Sequence, residues 1–141
     1  CRTKRRRCGR SSLRIEAYFQ HVRETIDGCP VVQSSNVAYD KRTTHEGFVR
    51  GEIYFVDGSL LHLREFVDVE IRLDCLTYVY QYMDSAHRLV FRYDNTGHHK
   101  KLNLPTYPHH KHQGTDNNVV ASSAPDLAAI LAEIEPLVQL P

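Results

Sequence analysis

Apolar residues recur at helical spacing near both ends of the chain. The first stripe consists of Ile15, Tyr18, Phe19, Val22 and Ile26. Gly28 and Pro30 follow it and predict the end of that helix. The second stripe, which follows a candidate N-cap at Ser123, consists of Leu127, Ile130, Leu131 and Ile134. This spacing predicts an N-terminal and a C-terminal helix, each with one apolar face.

Between the two helices, apolar and polar side chains alternate in short runs, as they do in half-buried strands. The predicted strands are Val31–Tyr39, Phe48–Val56, Leu60–Val69, Leu73–Met83 and Arg88–Asp94. Because short turns separate these runs, we expect neighbouring strands to pair antiparallel. The pattern predicts an α+β domain in which an antiparallel meander sheet of about five strands carries both helices on one face.

The sequence DGS at residues 57–59 predicts a hairpin between the second and third strands. A loop made of these three residues pairs Phe55 with Leu61 and gives the hairpin one apolar face. On the polar face, the same register places Glu52 beside Arg64 as a cross-strand ion pair. We therefore prefer this register to one with a two-residue loop, which mixes polar and apolar residues on both faces.

The next hairpin turns near residues 84–87, and pairing Met83 with Arg88 separates aromatic from polar positions. One face then carries Tyr78, Tyr80, Tyr82, Leu89, Phe91 and Tyr93. Aromatic residues favour half-buried strands, so we interpret this stripe as core rather than as a base-stacking platform. The opposite face carries Arg92 and Asp94, which leaves both side chains available for chemistry.

Composition and charge restrict the class of protein. The chain has 41% hydrophobic and 25% charged residues, which is typical of a globular protein, and residues 13–141 are predicted to form a single domain. No apolar run approaches the roughly 18 residues that span a membrane, so we expect a cytoplasmic location. Residues 1–12 contain six Lys and Arg residues and are predicted to form a disordered basic tail. Without those six charges, the net charge of +1 becomes −5, so any anionic ligand must be held locally.

Histidines are concentrated in one segment between residues 98 and 112. Five of the nine histidines of the chain lie there: His98, His99, His109, His110 and His112. Pro105 and Pro108 favour an extended backbone, in which His110 and His112 point to one side and His109 to the other. Histidine both gives and takes protons near neutral pH, and it also binds metals.

Cleavage of RNA without a metal requires a base for the 2′-hydroxyl group, an acid for the leaving oxygen and cations near the phosphate. The predicted catalytic residues for this chemistry are His99, His109, His110, Arg92 and Lys111. Asp94 or Glu65 can orient an imidazole through its second ring nitrogen. The composition of the segment therefore predicts a metal-independent endoribonuclease that needs no cofactor.

The same histidines allow a zinc site as an alternative, with His99, His110 and His112 as its ligands. Adjacent histidines point apart in an extended chain, so each pair contributes at most one ligand. The chain contains no HExxH motif. A solvated loop without chemistry is the third interpretation of the segment.

Several short motifs resemble the TumE family, whose bacterial and archaeal members are classed as toxins of type II toxin–antitoxin systems. The motifs are GEIYFVDGSLLHLREF, YVYQYMD, LVFRYDNTGHH and LPTYPHHKH. The resemblance covers about residues 15–140. The matching positions are Asp57, Gly58, Glu65, Arg92, Asp94, Asn95, His98, His99, Pro108, His109, His110, Lys111 and His112.

This resemblance implies a cytoplasmic toxin that a small cognate antitoxin protein neutralises. It also marks Asn95, His98 and His112 as supporting residues of the site, beside Glu65 and Asp94. The RNA substrate is inferred from the histidine-rich segment rather than from the family. A metal-binding protein or a non-catalytic protein-binding module is the alternative function, and a homo-oligomer is compatible with the sequence.

Overall fold

The computed structural model describes residues 14–95, 109–114, 119–121 and 125–139. The predicted basic tail, the candidate cap Ser123, and both His98 and His99 lie outside the described residues. No helix among the described residues is long and apolar enough to cross a membrane.

The sheet contains seven strands among the described residues, and each pairs antiparallel with the next strand in the chain. The strands are β1 (Val32–Lys41), β2 (Glu46–Phe55), β3 (Leu60–Asp68), β4 (Asp74–Met83), β5 (Leu89–Asp94), β6 (His110–Gln113) and β7 (Val119–Ala121). The predicted meander is confirmed, because no crossover interrupts the order from β1 to β7. Short connections between neighbouring strands favour this antiparallel order from β1 to β5.

Two helices pack on one face of the sheet, as predicted. Helix α1 (Ile15–Asp27) begins where the Ile15 amide donates to the Thr44 carbonyl. Helix α2 (Leu127–Ile134) continues into a short 3₁₀ helix (Glu135–Leu137), and its N-cap is Asp126, which accepts from the Ala129 amide. Both apolar stripes are buried against the strands, so the fold is α+β.

Strands β6 and β7 extend the sheet beyond the five strands that alternation predicts. The sequence of β6, HKHQ, has no apolar alternation, so the pattern alone indicated a loop. Strand β6 pairs along β5 with Arg92 opposite His112 and Asp94 opposite His110. The histidine-rich segment is therefore partly a strand, and the pairing rather than the side chains defines it.

The predicted register of the β2–β3 hairpin is wrong by two residues. Ile53 pairs with Leu61, and Arg50 rather than Glu52 lies opposite Arg64. Residues 56–59 connect the two strands, and Gly58 takes a left-handed conformation with φ of 87°. Both registers place the same side chains on the same face, because a shift of two residues preserves the alternation of a strand. Burial alone therefore could not separate them.

The predicted pairing of Met83 with Arg88 is also wrong. Met83 lies opposite Leu89, and an irregularity after Tyr82 lets Tyr82 pair with Phe91. His87 closes the turn with φ of 64°, a backbone conformation that residues other than glycine rarely adopt. The tyrosines of β4 remain in the core, as predicted. The irregularity changes only the register of β5 relative to β4.

The sheet has two distinct faces. The helix face is the face that packs against α1 and α2, and it carries the apolar core and the aromatic stripe of β4 and β5. The open face is the opposite face, and across the strands it carries Arg50, Glu52, His62, Arg64, Gln81, Arg92, Asp94 and His112. Every candidate site residue in the described strands can be assigned to one of these faces.

Candidate active site

Asp94 is a carboxylate buried on the open face, with 1% of its surface exposed. Arg92 Nε donates to Asp94 Oδ2 at 3.0 Å, and His112 Nε2 lies 3.7 Å from the same oxygen. The carboxylate is thus held between a guanidinium and an imidazole. Since burying a carboxyl group is costly unless it is paired or hydrogen-bonded, these two contacts explain why Asp94 is tolerated in a buried position.

The register of β5 and β6 brings these three groups together. Arg92 and His112 are directly opposite each other, and Asp94 follows Arg92 by two residues on the same face. His112 is 6% exposed, whereas the Arg92 side chain is 33% exposed, and Arg92 Nη1 also donates to Gln81 Oε1 at 3.4 Å. The cluster therefore has a buried anion and a cation that solvent can reach.

His109 belongs to the other side of the strand. Its ring stacks on Tyr78 with 5.7 Å between the ring centroids, and its Nδ1 lies 2.8 Å from the Tyr78 hydroxyl oxygen. Tyr78 is a core residue of the helix face and is 2% exposed. The predicted opposition of His109 to His112 is therefore observed, and the two imidazoles do not meet at one site.

Lys111 also lies on the helix face, away from Arg92. Its Nζ is 2.8 Å from Glu133 Oε2 and 4.8 Å from the centre of the Tyr93 ring, and the Tyr93 hydroxyl donates to the other oxygen of Glu133. Burial lowers the pKa of Lys111, but hydrogen bonds with Glu133 and Tyr93 outweigh this effect and raise it overall. The structure thus separates the two cations that the sequence grouped at one phosphate.

Glu65 is buried on the helix face, 1% exposed, and accepts hydrogen bonds from the hydroxyls of Tyr18 and Tyr80. Burial raises the pKa of this carboxyl group, although the two hydrogen bonds oppose the rise. Because Asp94 lies on the opposite face, Asp94 rather than Glu65 is placed to orient an imidazole at the open face.

Asn95 connects the ends of two strands. Its Oδ1 accepts from the Tyr78 amide at 3.0 Å, and its Nδ2 donates to the Leu76 carbonyl at 3.0 Å. These bonds extend the β4–β5 pairing beyond Asp94 and fix the end of β5. Because these bonds fix the backbone directly after Asp94, Asn95 helps to hold Asp94 in position.

Other predicted residues are outside these contacts. His98 and His99 lie outside the described residues, and for His110 only the strand position opposite Asp94 is described. Within the described part of the chain, no group of three His, Cys, Asp or Glu side chains is arranged to hold a metal ion. Because the alternative zinc ligands include His99 and His110, the zinc site stays a prediction.

Sequence reasoning missed a second basic feature of the open face. Arg50 and Arg64, both exposed, line a groove of about 370 Å³ that also reaches Arg92. The wrong hairpin register paired Arg64 with Glu52 and so concealed the feature. Strand alternation already placed both arginines on the polar face. Only the correct register would have shown that they lie opposite each other.

A model of the family described as "Toxin TumE" matches residues 18–138 of the chain. This protein belongs to the TumE toxin family. The match begins within α1, at Tyr18, and includes every later element through α2 and all of the site residues described above. No curated protein and no solved structure is detectably similar to the chain. Membership of the TumE family implies an antitoxin as the partner of this toxin.

Proposed function

We propose that this TumE-family toxin is a metal-independent endoribonuclease whose active site lies on the open face at β5 and β6, and that its antitoxin neutralises this activity. The contact of Asp94 with both Arg92 and His112 carries the proposal. A carboxyl group, an imidazole and a guanidinium on one face are the groups that metal-free phosphodiester cleavage uses.

In the proposed reaction, the 2′-oxygen of a ribose attacks the adjacent phosphorus, and the bond from phosphorus to the 5′-oxygen breaks. One imidazole takes the 2′-hydroxyl proton, and an acid gives a proton to the leaving 5′-oxygen. His112 fits the first role, because the nearby charge of Asp94 stabilises the imidazolium that forms. The exposed part of Arg92 faces the extra negative charge on the phosphate oxygens.

We assign the second proton-transfer group to His110 or His99. His110 takes the strand position opposite Asp94 and lies two residues before His112 in β6. His99 retains its role from the sequence as the alternative. His109 and Lys111 are left out of this site, because their described contacts are with Tyr78 and Glu133 on the helix face.

The decisive experiment incubates purified, antitoxin-free protein with RNA in the presence of EDTA. We expect cleavage, with products that end in a 2′,3′-cyclic phosphate. His112→Ala and Asp94→Asn should each lower the cleavage rate by about a hundredfold or more, since a general base and the carboxylate that supports it each contribute about that much. Far-UV circular dichroism and thermal unfolding verify that each variant is folded.

His87→Asn is the matched control, because it removes an imidazole from an exposed turn and Asn tolerates the left-handed backbone there. This control should cleave RNA at the wild-type rate. Absence of cleavage by folded wild-type protein would refute the ribonuclease. Cleavage that EDTA abolishes and zinc restores would instead support the zinc site of His99, His110 and His112.

A further inference from the structure

Two arginines face each other on the open face without a described acidic partner. Arg50 on β2 pairs directly with Arg64 on β3, and both side chains are exposed. Among the described residues, no carboxylate lies within ion-pair distance of either guanidinium; the nearby Glu52 instead contacts Tyr54 and His62. Like charges in directly opposed positions destabilise a sheet, so this pair needs a reason other than stability.

An aromatic pair lies beside the two arginines on the same face. Phe48 and Phe66 are the next cross-strand pair on this face, with ring centroids 4.7 Å apart and planes tilted by 31°. Both rings are half-buried, and the Arg42 guanidinium lies 4.9 Å from the centre of the Phe48 ring. Such a pair strengthens a hairpin, and it also offers aromatic surface next to positive charge.

The arginine pair and the proposed active site share one groove. In register across the sheet, Arg64 lies opposite Val79, and Val79 lies opposite Asp94. Two strand spacings therefore separate Arg64 from Asp94, a distance of about 10 Å. The groove of about 370 Å³ reaches from Arg50 and Arg64 to Arg92. A ligand that crosses it contacts the arginine pair and Arg92, the member of the Asp94 cluster that lines the groove.

We infer that Arg50 and Arg64 bind phosphates of single-stranded RNA on one side of the cleaved bond, while Phe48 and Phe66 stack against a base. This inference deepens the proposed function, on which it rests for its substrate. Guanidinium groups bind phosphate oxygens in a bidentate manner, and aromatic faces stack on any base. An acidic peptide would satisfy the arginines but would give no reason for the half-buried aromatic pair beside them.

The test measures binding of a fluorescent single-stranded RNA whose 2′-hydroxyls are methylated, so that it cannot be cleaved. Arg50→Ala with Arg64→Ala should weaken binding by about tenfold or more for every sequence tried. The slope of log affinity against log salt concentration should also become shallower by about 1.4, which corresponds to two lost phosphate contacts. Arg50→Lys with Arg64→Lys should restore most of the slope but only part of the affinity.

The matched control is Arg23→Ala with Arg88→Ala, which removes the same charge elsewhere. Arg23 lies over the Tyr39 ring and Arg88 pairs with Asp84, away from the groove. The control should bind RNA with wild-type affinity and slope. Phe48→Leu with Phe66→Leu keeps apolar volume in the hairpin and should weaken binding by about fivefold or more.

The outcomes separate this inference from the proposed cleavage. RNA binding that depends on both arginines, in a protein that never cleaves RNA, supports the inference and refutes the ribonuclease. Equal RNA affinity and equal KM in wild type and the arginine variant overturn the inference, even where RNA is cleaved. Loss of antitoxin binding alone in that variant also overturns it and assigns the pair to an acidic protein segment.

Discussion

Glu65 is a carboxyl group held under helix α1 by two tyrosine hydroxyls. Tyr18 comes from α1 and Tyr80 from β4, so one side chain connects the helix to the sheet. The carboxyl group is 1% exposed, and its burial raises its pKa. The sequence predicted that Glu65 could orient an imidazole, and two tyrosine partners distant in the chain could not be identified from spacing alone.

We expect Glu65→Gln to remove a pH-dependent loss of stability. Because the pKa of Glu65 in the folded protein is raised above 4.5, the folded state holds a proton that the unfolded chain has released at the same pH. This contribution to the free energy of unfolding is fully present below pH 4.5. It declines as the pH rises from 4.5 to the raised pKa of the folded protein. Within this window the decline is about 1.4 kcal/mol per pH unit.

Urea unfolding of both proteins over a pH series that begins below 4.5 measures the difference. The variant should gain stability relative to the wild type as the pH rises. Glu24→Gln on the exposed side of α1 removes the same charge as a control. Wild-type and Glu65→Gln curves that stay parallel throughout the series would contradict the assignment.

Among the elements, the β2–β3 hairpin decides how the open face is arranged. Alternation along the two strands predicted which side chains share a face, and that prediction holds at both registers. It could not fix the register, because a shift of two residues changes every cross-strand partner while the faces stay the same. The difference matters for Arg64, whose partner changes from Glu52 to Arg50.

Strand β6 is a second feature that the pattern of the sequence could not predict. Its HKHQ sequence carries no apolar alternation, so only its pairing with β5 reveals it as a strand. The burial of Asp94 follows from that pairing, since a residue on a polar face would otherwise be expected to be exposed. The candidate residues were thus identifiable by type, whereas their grouping into two faces required the tertiary structure.

Gly51 is a position in this hairpin where the backbone of β1 leaves no room for a side chain. Its φ is 156°, and a Cβ atom would lie 2.1 Å from the carbonyl oxygen of Asn36 on β1. We expect Gly51→Ala to lower the free energy of unfolding by about 3 kcal/mol or more, since strain and a backbone clash act together. Chemical denaturation measures this loss.

Gly114→Ala is the control for the backbone conformation alone. Gly114 has φ of 80°, but a Cβ atom there would meet nothing within 4 Å. Its replacement should therefore cost only about 1–2 kcal/mol. Equal losses for the two variants would show that the close approach of β1 to Gly51 contributes nothing.

At the scale of the whole molecule, the sheet separates side chains that stabilise the fold from side chains that are proposed to cleave RNA. The helix face holds Glu65 and the contact of Lys111 with Glu133, and the open face holds the Asp94 cluster. Consecutive residues of β6 thus serve opposite sides of the protein. Substitutions on one face should therefore affect stability and those on the other should affect RNA cleavage.

Lys111→Ala tests this division, because the sequence placed Lys111 at the phosphate. We expect it to lower the free energy of unfolding by about 1–2 kcal/mol through the lost contacts with Glu133 and the aromatic rings, while cleavage per folded molecule stays near the wild-type rate. Thermal unfolding and RNA cleavage are measured on the same samples.

Lys41→Ala, which removes an exposed ion pair with Glu16, is the control and should change neither property. A hundredfold loss of cleavage in folded Lys111→Ala, with stability unchanged, would return Lys111 to the active site and contradict the separation of the faces.

The uninterrupted order of the meander also dictates when each group becomes available during synthesis. Every strand pairs with the strand made just before it, so the sheet can grow hairpin by hairpin as the chain leaves the ribosome. Strands β2 and β3, with Arg50 and Arg64, are made long before β6 supplies His112. Under the proposed function, a growing chain would contain its RNA-binding arginines early. It would contain the histidine needed for cleavage only when synthesis of the domain is nearly complete.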